Sequence, residues 1–228
     1  MVKTFELSCR RVERFFIYSL IFLIVMSTAM EISYYLLEHK RLLGLVRQLS
    51  LTEEANIPTW YSTLLLAACA LALAVIGVIE RGPYRRHWLI LSLIFLYISM
   101  DEVSTIHEMT IRPIRQAFDL SGAFYYAWTL PAAVLMVIFL LSYLGFLRYQ
   151  PTVSRNRFVI AGSIFVGGAL GTEFIISYLW DTSGDDFAYG MLNVLQEGME
   201  IAGASLFLSA LLRHLAAQGN EVRIGLKS

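Results

Sequence analysis

The stretch WLILSLIFLYISMDEVSTIHE, residues 88–108, decides the fold class of this chain. Its first thirteen residues contain no charged side chain. As a helix rising about 1.5 Å per residue, the whole stretch measures about 31 Å, close to the ~30 Å hydrocarbon thickness of a bilayer. Ionisable residues inside such a segment are expensive and usually mark a functional site. The stretch therefore predicts a membrane-crossing helix that carries Asp101, Glu102, His107 and Glu108 towards one end.

The composition extends this interpretation to the rest of the chain. Of 228 residues, 57% are hydrophobic and 16% are charged, and further apolar stretches of similar length recur. These features are typical of a multi-pass α-helical membrane protein and exclude a soluble enzyme. Because the connections are short, residues 1–228 are predicted to form a single all-α transmembrane domain, a bundle of six helices. Its predicted spans are residues 15–37, 58–79, 88–108, 125–147, 158–180 and 188–212.

Segment 38–51 is predicted to be a short helix lying on the membrane surface. Leu42, Leu45, Val46 and Leu49 recur in it at helical spacing, with charged residues between them. An apolar stripe beside a charged face is typical of an interfacial helix. Trp60, Trp88, Trp128 and Trp180 lie near span ends and are predicted to form the aromatic belt common in membrane proteins.

Cysteine content and charge exclude several classes of function. The only cysteines are Cys9 and Cys69, too few for a disulfide framework or a cysteine-based zinc site. The formal net charge is zero and no long basic tract occurs, so nucleic acid is not an expected partner. The lipid bilayer is the expected environment.

Both termini are predicted to be cytoplasmic, because the Lys and Arg residues of short flanks mark the cytoplasmic side. With six spans, one side collects Lys3, Arg10, Arg11, Arg14, Arg81, Arg85, Arg86, Arg148, Arg155, Arg157, Arg213, Arg223 and Lys227. The basic segment with His39, Lys40, Arg41 and Arg47 falls on the other side and does not fit this rule. The alternative for the N-terminus is a signal peptide cleaved near residues 27–29, which would remove the first span.

Carboxylates from four predicted spans lie at a similar depth. At about 1.5 Å per residue, Asp101, Glu173 and Glu31 lie ~20, ~22 and ~24 Å from the inner ends of their spans. The sixth span runs the other way and places Glu197 and Glu200 ~14 and ~18 Å from its outer end. All five side chains are therefore predicted to occupy the outer half of the membrane.

Helix periodicity predicts which of these side chains share a face. Asp101 and Glu108 are seven residues apart, with Ser104 between them and His107 beside them, whereas Glu102 is turned away. On the sixth span Asn193, Glu197 and Glu200 form a second stripe, and the two stripes are predicted to face each other. Four small residues of the fifth span are predicted to let it approach its neighbours closely: Gly162, Gly167, Gly168 and Gly171.

Carboxylates gathered at low dielectric repel one another unless they share protons, meet cations or bind metal. Carboxylate oxygens with one imidazole suit a divalent cation such as Mn²⁺, Fe²⁺, Zn²⁺, Mg²⁺ or Ca²⁺. The predicted ligands are Asp101, His107, Glu108, Glu173, Glu197 and Glu200, and Glu31, Glu102, Ser104 and Asn193 are further polar candidates. Proton or cation transfer without a fixed metal and a structural polar network are the alternatives.

Three motifs carry a resemblance to other proteins: ANIPTWYS at 55–62, SMDEVSTIHE at 99–108 and LQEGMEIAG at 195–203. With them, most of the chain resembles a group of bacterial multi-pass membrane proteins with no established activity. The resemblance implies a location in the bacterial inner membrane and implies no mechanism.

Three functional hypotheses follow. A membrane metalloenzyme would act on a lipid-like substrate entering from the bilayer, with His107 and Glu108 as catalytic residues. A proton- or cation-coupled transporter would use the same carboxylates, although its usual repeats and broken helices are not evident in the sequence. An accessory or scaffold subunit would offer its acidic residues to a membrane protein partner.

Overall fold

A computed structural model describes residues 8–217, and all regular structure in that range is helical. Six helical stretches are long and apolar enough to cross a membrane, which confirms the predicted all-α, six-span class. They are Cys9–Leu36, Ile57–Ile79, Arg85–Ser104, Thr129–Tyr149, Thr152–Ser183 and Phe187–Ala217. The α-helices are α1 Cys9–Glu31, α2 Leu45–Leu49, α3 Ile57–Ile79, α4 Arg85–Ser104, α5 Ile111–Phe118, α6 Thr129–Tyr149, α7 Thr152–Val166, α8 Glu173–Ser183 and α9 Phe187–Ala217.

Two spans contain a wider, π-helical turn. α1 continues through Ile32–Leu36, and Gly167–Thr172 joins α7 to α8. In a π turn each N–H bonds five residues back, so the helix widens without breaking. The first and fifth spans therefore remain continuous, and each has a carboxylate, Glu31 or Glu173, directly beside its wide turn.

Helix α9 lies at the centre of the described structure. It packs against α1, α3 and α7, and α3 also packs along α4. The core between these helices includes Leu66, Leu73, Ile76, Ile201 and Leu211. In contrast, α6 exposes most of its apolar side chains, as expected of a helix that faces lipid.

Serine hydroxyls join the third span to the second. The Ser92 hydroxyl donates to the carbonyl of Ala70 at 2.7 Å, and the Ser99 hydroxyl donates to that of Thr63 at 2.9 Å. Such bonds between helices help to hold α3 and α4 in register where lipid offers no competing partner.

Close contact between α7 and α9 depends on glycine at two positions. A Cβ at Gly203 would lie 2.6 Å from the backbone nitrogen of Phe165. A Cβ at Gly168 would lie 3.0 Å from the carbonyl oxygen of Gln196 and 3.1 Å from Cγ of Glu200. The predicted close approach of the fifth span is thus confirmed at Gly168. It is wrong for Gly162 and Gly171, which have open space around them.

Several element boundaries differ from the prediction. The third span ends at Ser104 instead of residue 108, because Thr105 adopts a left-handed conformation with φ 47°. The fourth begins at Thr129 instead of 125, since a short turn, Gly122–Phe124, precedes it. Helix α5 was not predicted. The surface helix predicted over 38–51 is reduced to the turn Leu42–Gly44 and α2 by positive φ angles at Glu38, Leu42 and Leu43.

The two ends of the bundle differ in charge. The basic end comprises the start of α1, the connections 80–84 and 150–151 with adjoining helix ends, and the end of α9. It carries Arg10, Arg11, Arg14, Arg81, Arg85, Arg86, Arg148, Arg155, Arg157 and Arg213. The acidic end comprises residues 37–56, 105–128 and 184–186 with the adjoining helix ends. The predicted orientation also uses Lys3, Arg223 and Lys227, which lie outside the described residues.

Replacing Gly203 by Ala should destabilise the protein by about 1–3 kcal/mol, because the new methyl group would collide with the backbone of α7. The matched control is Gly162→Ala on α7, where nothing lies within 4 Å of the added Cβ. This control should be neutral or should stabilise by up to about 1 kcal/mol through helix propensity. Thermal unfolding of both variants in detergent measures the difference. Equal melting temperatures for the two variants would contradict the packing described for α7 and α9.

Candidate functional site

The Asp101 carboxylate holds the chain where the third span ends. It accepts the backbone N–H of His107 at 3.0 Å through Oδ1, and the His107 imidazole Nδ1 lies 2.6 Å from its Oδ2. A left-handed Thr105 between them turns the chain out of the helix. The prediction that Asp101 and Glu108 share one helical face is therefore wrong. Ser104, predicted to lie between them on that face, is exposed at the end of α4.

This contact also determines how the imidazole can react. A carboxylate only accepts hydrogen bonds, so Nδ1 of His107 donates to Asp101. The second ring nitrogen, Nε2, is then the atom that can take up or release a proton. His107 and Asp101 are both partly buried, with side-chain exposures of 32% and 15%.

Trp128 connects His107 to the fifth span. Its ring centroid lies 4.6 Å from that of His107, and its indole Nε1 donates to Oε1 of Glu173 at 3.0 Å. The buried Glu173 carboxylate also accepts Nε2 of Gln196 at 2.9 Å through Oε2. The aromatic-belt prediction is wrong for Trp88, which is buried in the core with 1% exposure, whereas Trp60, with 64% exposure, fits it. Neither Trp128 nor Gln196 was a predicted site residue, because sequence periodicity does not reveal a polar partner on another helix.

Glu102, which was predicted to be turned away, is the carboxylate of the third span that faces the sixth. It interacts electrostatically with Glu197 and Glu200. Asp101 is directed to His107 instead. Glu173 also interacts electrostatically with Glu197 and Glu200.

The predicted metal ligands do not form a ready metal centre. Across residues 8–217, no three His, Cys, Asp or Glu side chains are grouped so that they could hold one metal ion. Glu108 is exposed and interacts with Glu54 and Glu173 only through electrostatics. Asn193 donates to the carbonyl of Tyr189 at 2.9 Å on its own helix.

Glu31 lies apart from these residues and has a local role. Its Oε1 accepts the hydroxyls of Ser50 at 2.5 Å and Thr52 at 3.0 Å. One turn earlier on α1, the Ser27 hydroxyl accepts the backbone N–H of Leu51 at 2.7 Å. These bonds hold the segment before α3 against the first span.

Glu54, in that segment, is a site residue that the sequence analysis missed. Desolvation of its carboxyl and the negative charges of Glu108, Glu102 and Asp101 raise the pKa of Glu54 to about 7, against an ordinary value of 4.5, although the His107 charge opposes this shift. The negative form of Glu54 is therefore disfavoured in the folded protein. No sequence signal marked it, because it lies in a connection and reaches the site only through the fold of residues 50–56.

Glu54→Gln should make the protein more stable than the parent at alkaline pH. The pKa of Glu54 is higher in the folded protein than in the unfolded chain. Its contribution to folding stability is therefore fully present below pH 4.5 and is lost as the pH rises through about 7. Glutamine stays neutral, so the advantage of the variant should grow over that range and disappear at the acidic end. Melting temperatures measured across this pH range test it. Glu53→Gln removes the same formal charge one residue earlier and serves as control, and an identical pH profile for the two variants would contradict the assignment.

Comparison with known proteins adds a family without adding an activity. Residues 10–215 match the sequence model of a family described as a domain of unknown function, DUF8692. No curated protein and no solved structure matches the chain. The match covers nearly all of the described residues and agrees with the resemblance to proteins of no established activity. The chain is thus a multi-pass membrane protein that belongs to the DUF8692 family.

Proposed function

We propose that this protein is a proton-coupled membrane transporter in which His107, held by Asp101, accepts and releases the proton. The observation that carries the proposal is the 2.6 Å contact between Nδ1 of His107 and the Asp101 carboxylate. Histidine is the side chain that changes charge near neutral pH, and ionisable residues within membranes commonly form proton relays.

Carboxylates from several elements surround His107. Three carboxylates interact electrostatically with the imidazole: Glu54 from the segment before α3, Glu102 from α4 and Glu173 from α8. Asp101 contacts it directly. The Trp128 ring also lies beside the imidazole, with the centroids 4.6 Å apart and the ring planes tilted by 58°.

The proposed proton step involves Nε2 of the imidazole. A proton arriving from the aqueous phase at the acidic end, or from a neighbouring carboxylic acid, binds Nε2 while Nδ1 keeps its hydrogen bond to Asp101. The resulting positive charge is balanced by Asp101, so a charge at this depth is formed beside a counter-ion. Release of the same proton restores the neutral ring.

The enzyme and scaffold hypotheses are supported less by the geometry. A catalytic role for Glu108 on a lipid-like substrate remains a prediction, since its side chain is exposed and not hydrogen bonded to His107. A scaffold role would use the charged acidic end as a surface for a basic partner. It gives no reason for the paired His107 and Asp101.

We propose further that the basic end faces the cytoplasm of a bacterial cell and that the acidic end opens to the other side of the inner membrane. The support is the collection of arginines at the basic end. Among residues 8–217, one of these arginines, Arg213, forms an ion pair there, with Glu13 at 2.5 and 2.6 Å.

Labelling with a membrane-impermeant maleimide tests this orientation. Cys9 lies at the basic end, and Cys69 is fully buried and can be replaced by Ser to leave one thiol. Cys9 should react in inverted membrane vesicles and stay unlabelled in right-side-out vesicles. A control carrying Cys in place of the exposed Asp119, with Cys9 also replaced, should show the reverse. Labelling of Cys9 in intact right-side-out vesicles would refute the orientation.

His107→Gln should lower proton flux by about tenfold or more, because glutamine cannot take up a proton at Nε2. The protein is reconstituted into liposomes, a pH gradient with a compensating potassium potential is applied, and internal pH is followed with a trapped dye. Asp101→Asn should lower the flux as well, since the imidazole loses its counter-charge.

His39→Gln is the matched control for this experiment, because His39 is exposed at the same end of the bundle. Its flux should equal that of the parent. A parent protein without proton flux, or a His107→Gln variant that conducts like the parent, would overturn the proposed function.

A further inference from the structure

The Gln196 side chain presents an unsatisfied oxygen inside the membrane. Only 8% of this residue is exposed, and its Nε2 donates to Glu173 at 2.9 Å. Its Oε1 is buried and has no hydrogen-bond partner within residues 8–217. In this orientation the amide N–H faces Glu173 and the amide oxygen is left over. A buried carbonyl oxygen without a partner calls for a proton donor or a cation.

Two carboxylates lie beside this amide. Glu173 accepts the amide N–H at 2.9 Å, and Glu200 lies one turn after Gln196 on α9. Glu173 and Glu200 also repel each other electrostatically. In the part of the chain that the structure describes, neither of them forms an ion pair with lysine or arginine.

The backbone brings the two helices together at this position. Gly168 approaches α9 so closely that a Cβ would lie 3.0 Å from the carbonyl oxygen of Gln196 and 3.1 Å from Cγ of Glu200. The π-helical turn Gly167–Thr172 leads directly into Glu173. Such turns are frequent at functional sites, where they redirect a side chain.

We infer that Glu173, Gln196 and Glu200 bind a hard divalent cation of the Ca²⁺, Mg²⁺ or Mn²⁺ class. Two carboxylates balance its charge, and the amide oxygen of Gln196 supplies a neutral ligand of the kind these ions accept. A set made only of oxygen atoms disfavours softer metals. This set contains two acidic residues and one amide, so it differs from the grouping of three His, Cys, Asp or Glu that residues 8–217 lack.

The cation site is smaller than the metal site predicted from the sequence. Asp101 and His107 are hydrogen bonded to each other and belong to the proposed proton site, not to the cation site. Glu108 is exposed and is not included either. Trp128 connects the two groups, since its ring lies 4.6 Å from that of His107 and its indole N–H donates to Glu173. This cation would be the one whose movement the proposed transporter couples to the proton, so the coupling rests on the proposed function. Binding of the cation to the protein does not.

Binding of Mn²⁺ to the purified full-length protein in detergent tests the site. The electron paramagnetic resonance signal of free Mn²⁺ gives the bound fraction, and Ca²⁺ and Mg²⁺ are added as competitors near neutral pH. The parent should bind Mn²⁺ in a ratio of one ion to one chain. Gln196→Met, of similar length but without the oxygen, should weaken binding by about tenfold or more.

Two further variants separate a ligand from a structural residue. Gln196→Glu keeps an oxygen at the same place and should retain Mn²⁺ binding, although it loses the N–H donor to Glu173. Asn193→Leu, one turn earlier on α9, should bind like the parent. If Gln196→Met does not fold, Glu200→Gln replaces it and should show the same loss. Absence of Mn²⁺ binding in the parent, or unchanged affinity in Gln196→Met or in its substitute, would overturn the inference.

The two proposals fail separately. His107→Gln should keep Mn²⁺ binding within a factor of about three, a change below 1 kcal/mol, while it loses proton flux. Mn²⁺ binding that depends on Gln196 in a protein without proton flux would sustain the cation site and sink the transporter. Proton flux that depends on His107 in a protein that binds no Mn²⁺ would do the opposite.

Discussion

A backbone N–H group surrounded by hydrocarbon must find its acceptor within the protein. Helices meet this requirement along the spans, so the instructive positions are those where the chain leaves the helix. At the end of the third span Asp101 supplies the acceptor for the N–H of His107, and the same carboxylate holds the imidazole. One side chain thus makes the chain reversal possible and sets the orientation of the proposed proton acceptor.

The second constraint is charge. The acidic end collects carboxylates from several helices, and within the described residues none of its lysine or arginine side chains forms an ion pair with them. Two of these basic side chains lie over aromatic rings instead. Arg115 stacks on Tyr125 with its guanidinium carbon 3.9 Å from the ring centroid, and Lys40 lies over Tyr34 at 5.5 Å. The carboxylates with side-chain partners there are bonded to neutral donors or to His107. A proton and a hard metal ion are both suited to that environment, which is why the two proposals concern neighbouring residues.

Comparison of sequence and structure shows what periodicity can and cannot reveal. Hydropathy identified six spans because apolar length is set by the bilayer and hardly depends on tertiary contacts. The prediction that Asp101 and Glu108 share one helical face is wrong because it requires the helix to continue through residue 105. No local sequence feature indicates that Thr105 adopts a left-handed conformation. Glu54, Trp128 and Gln196 were missed for a related reason. Each of these residues reaches the site through contacts with residues distant in the sequence, and the spacing of residues in one sequence does not reveal such contacts.

The wide turn before Glu173 can also be considered as a matter of rotational phase. A π turn accommodates about one extra residue, and one residue corresponds to about 100° of rotation in an α-helix. The two halves of the fifth span are thus out of phase, so that no single apolar stripe describes both. Because the wide turn already absorbs one residue, removal of one residue from Gly167–Thr172 would restore a uniform α-helix and leave Glu173 facing Trp128 and Gln196. One residue added to the regular helix α7 would instead turn Glu173 by about 100° away from these partners. A sequence change that leaves every carboxylate in place could therefore abolish their meeting.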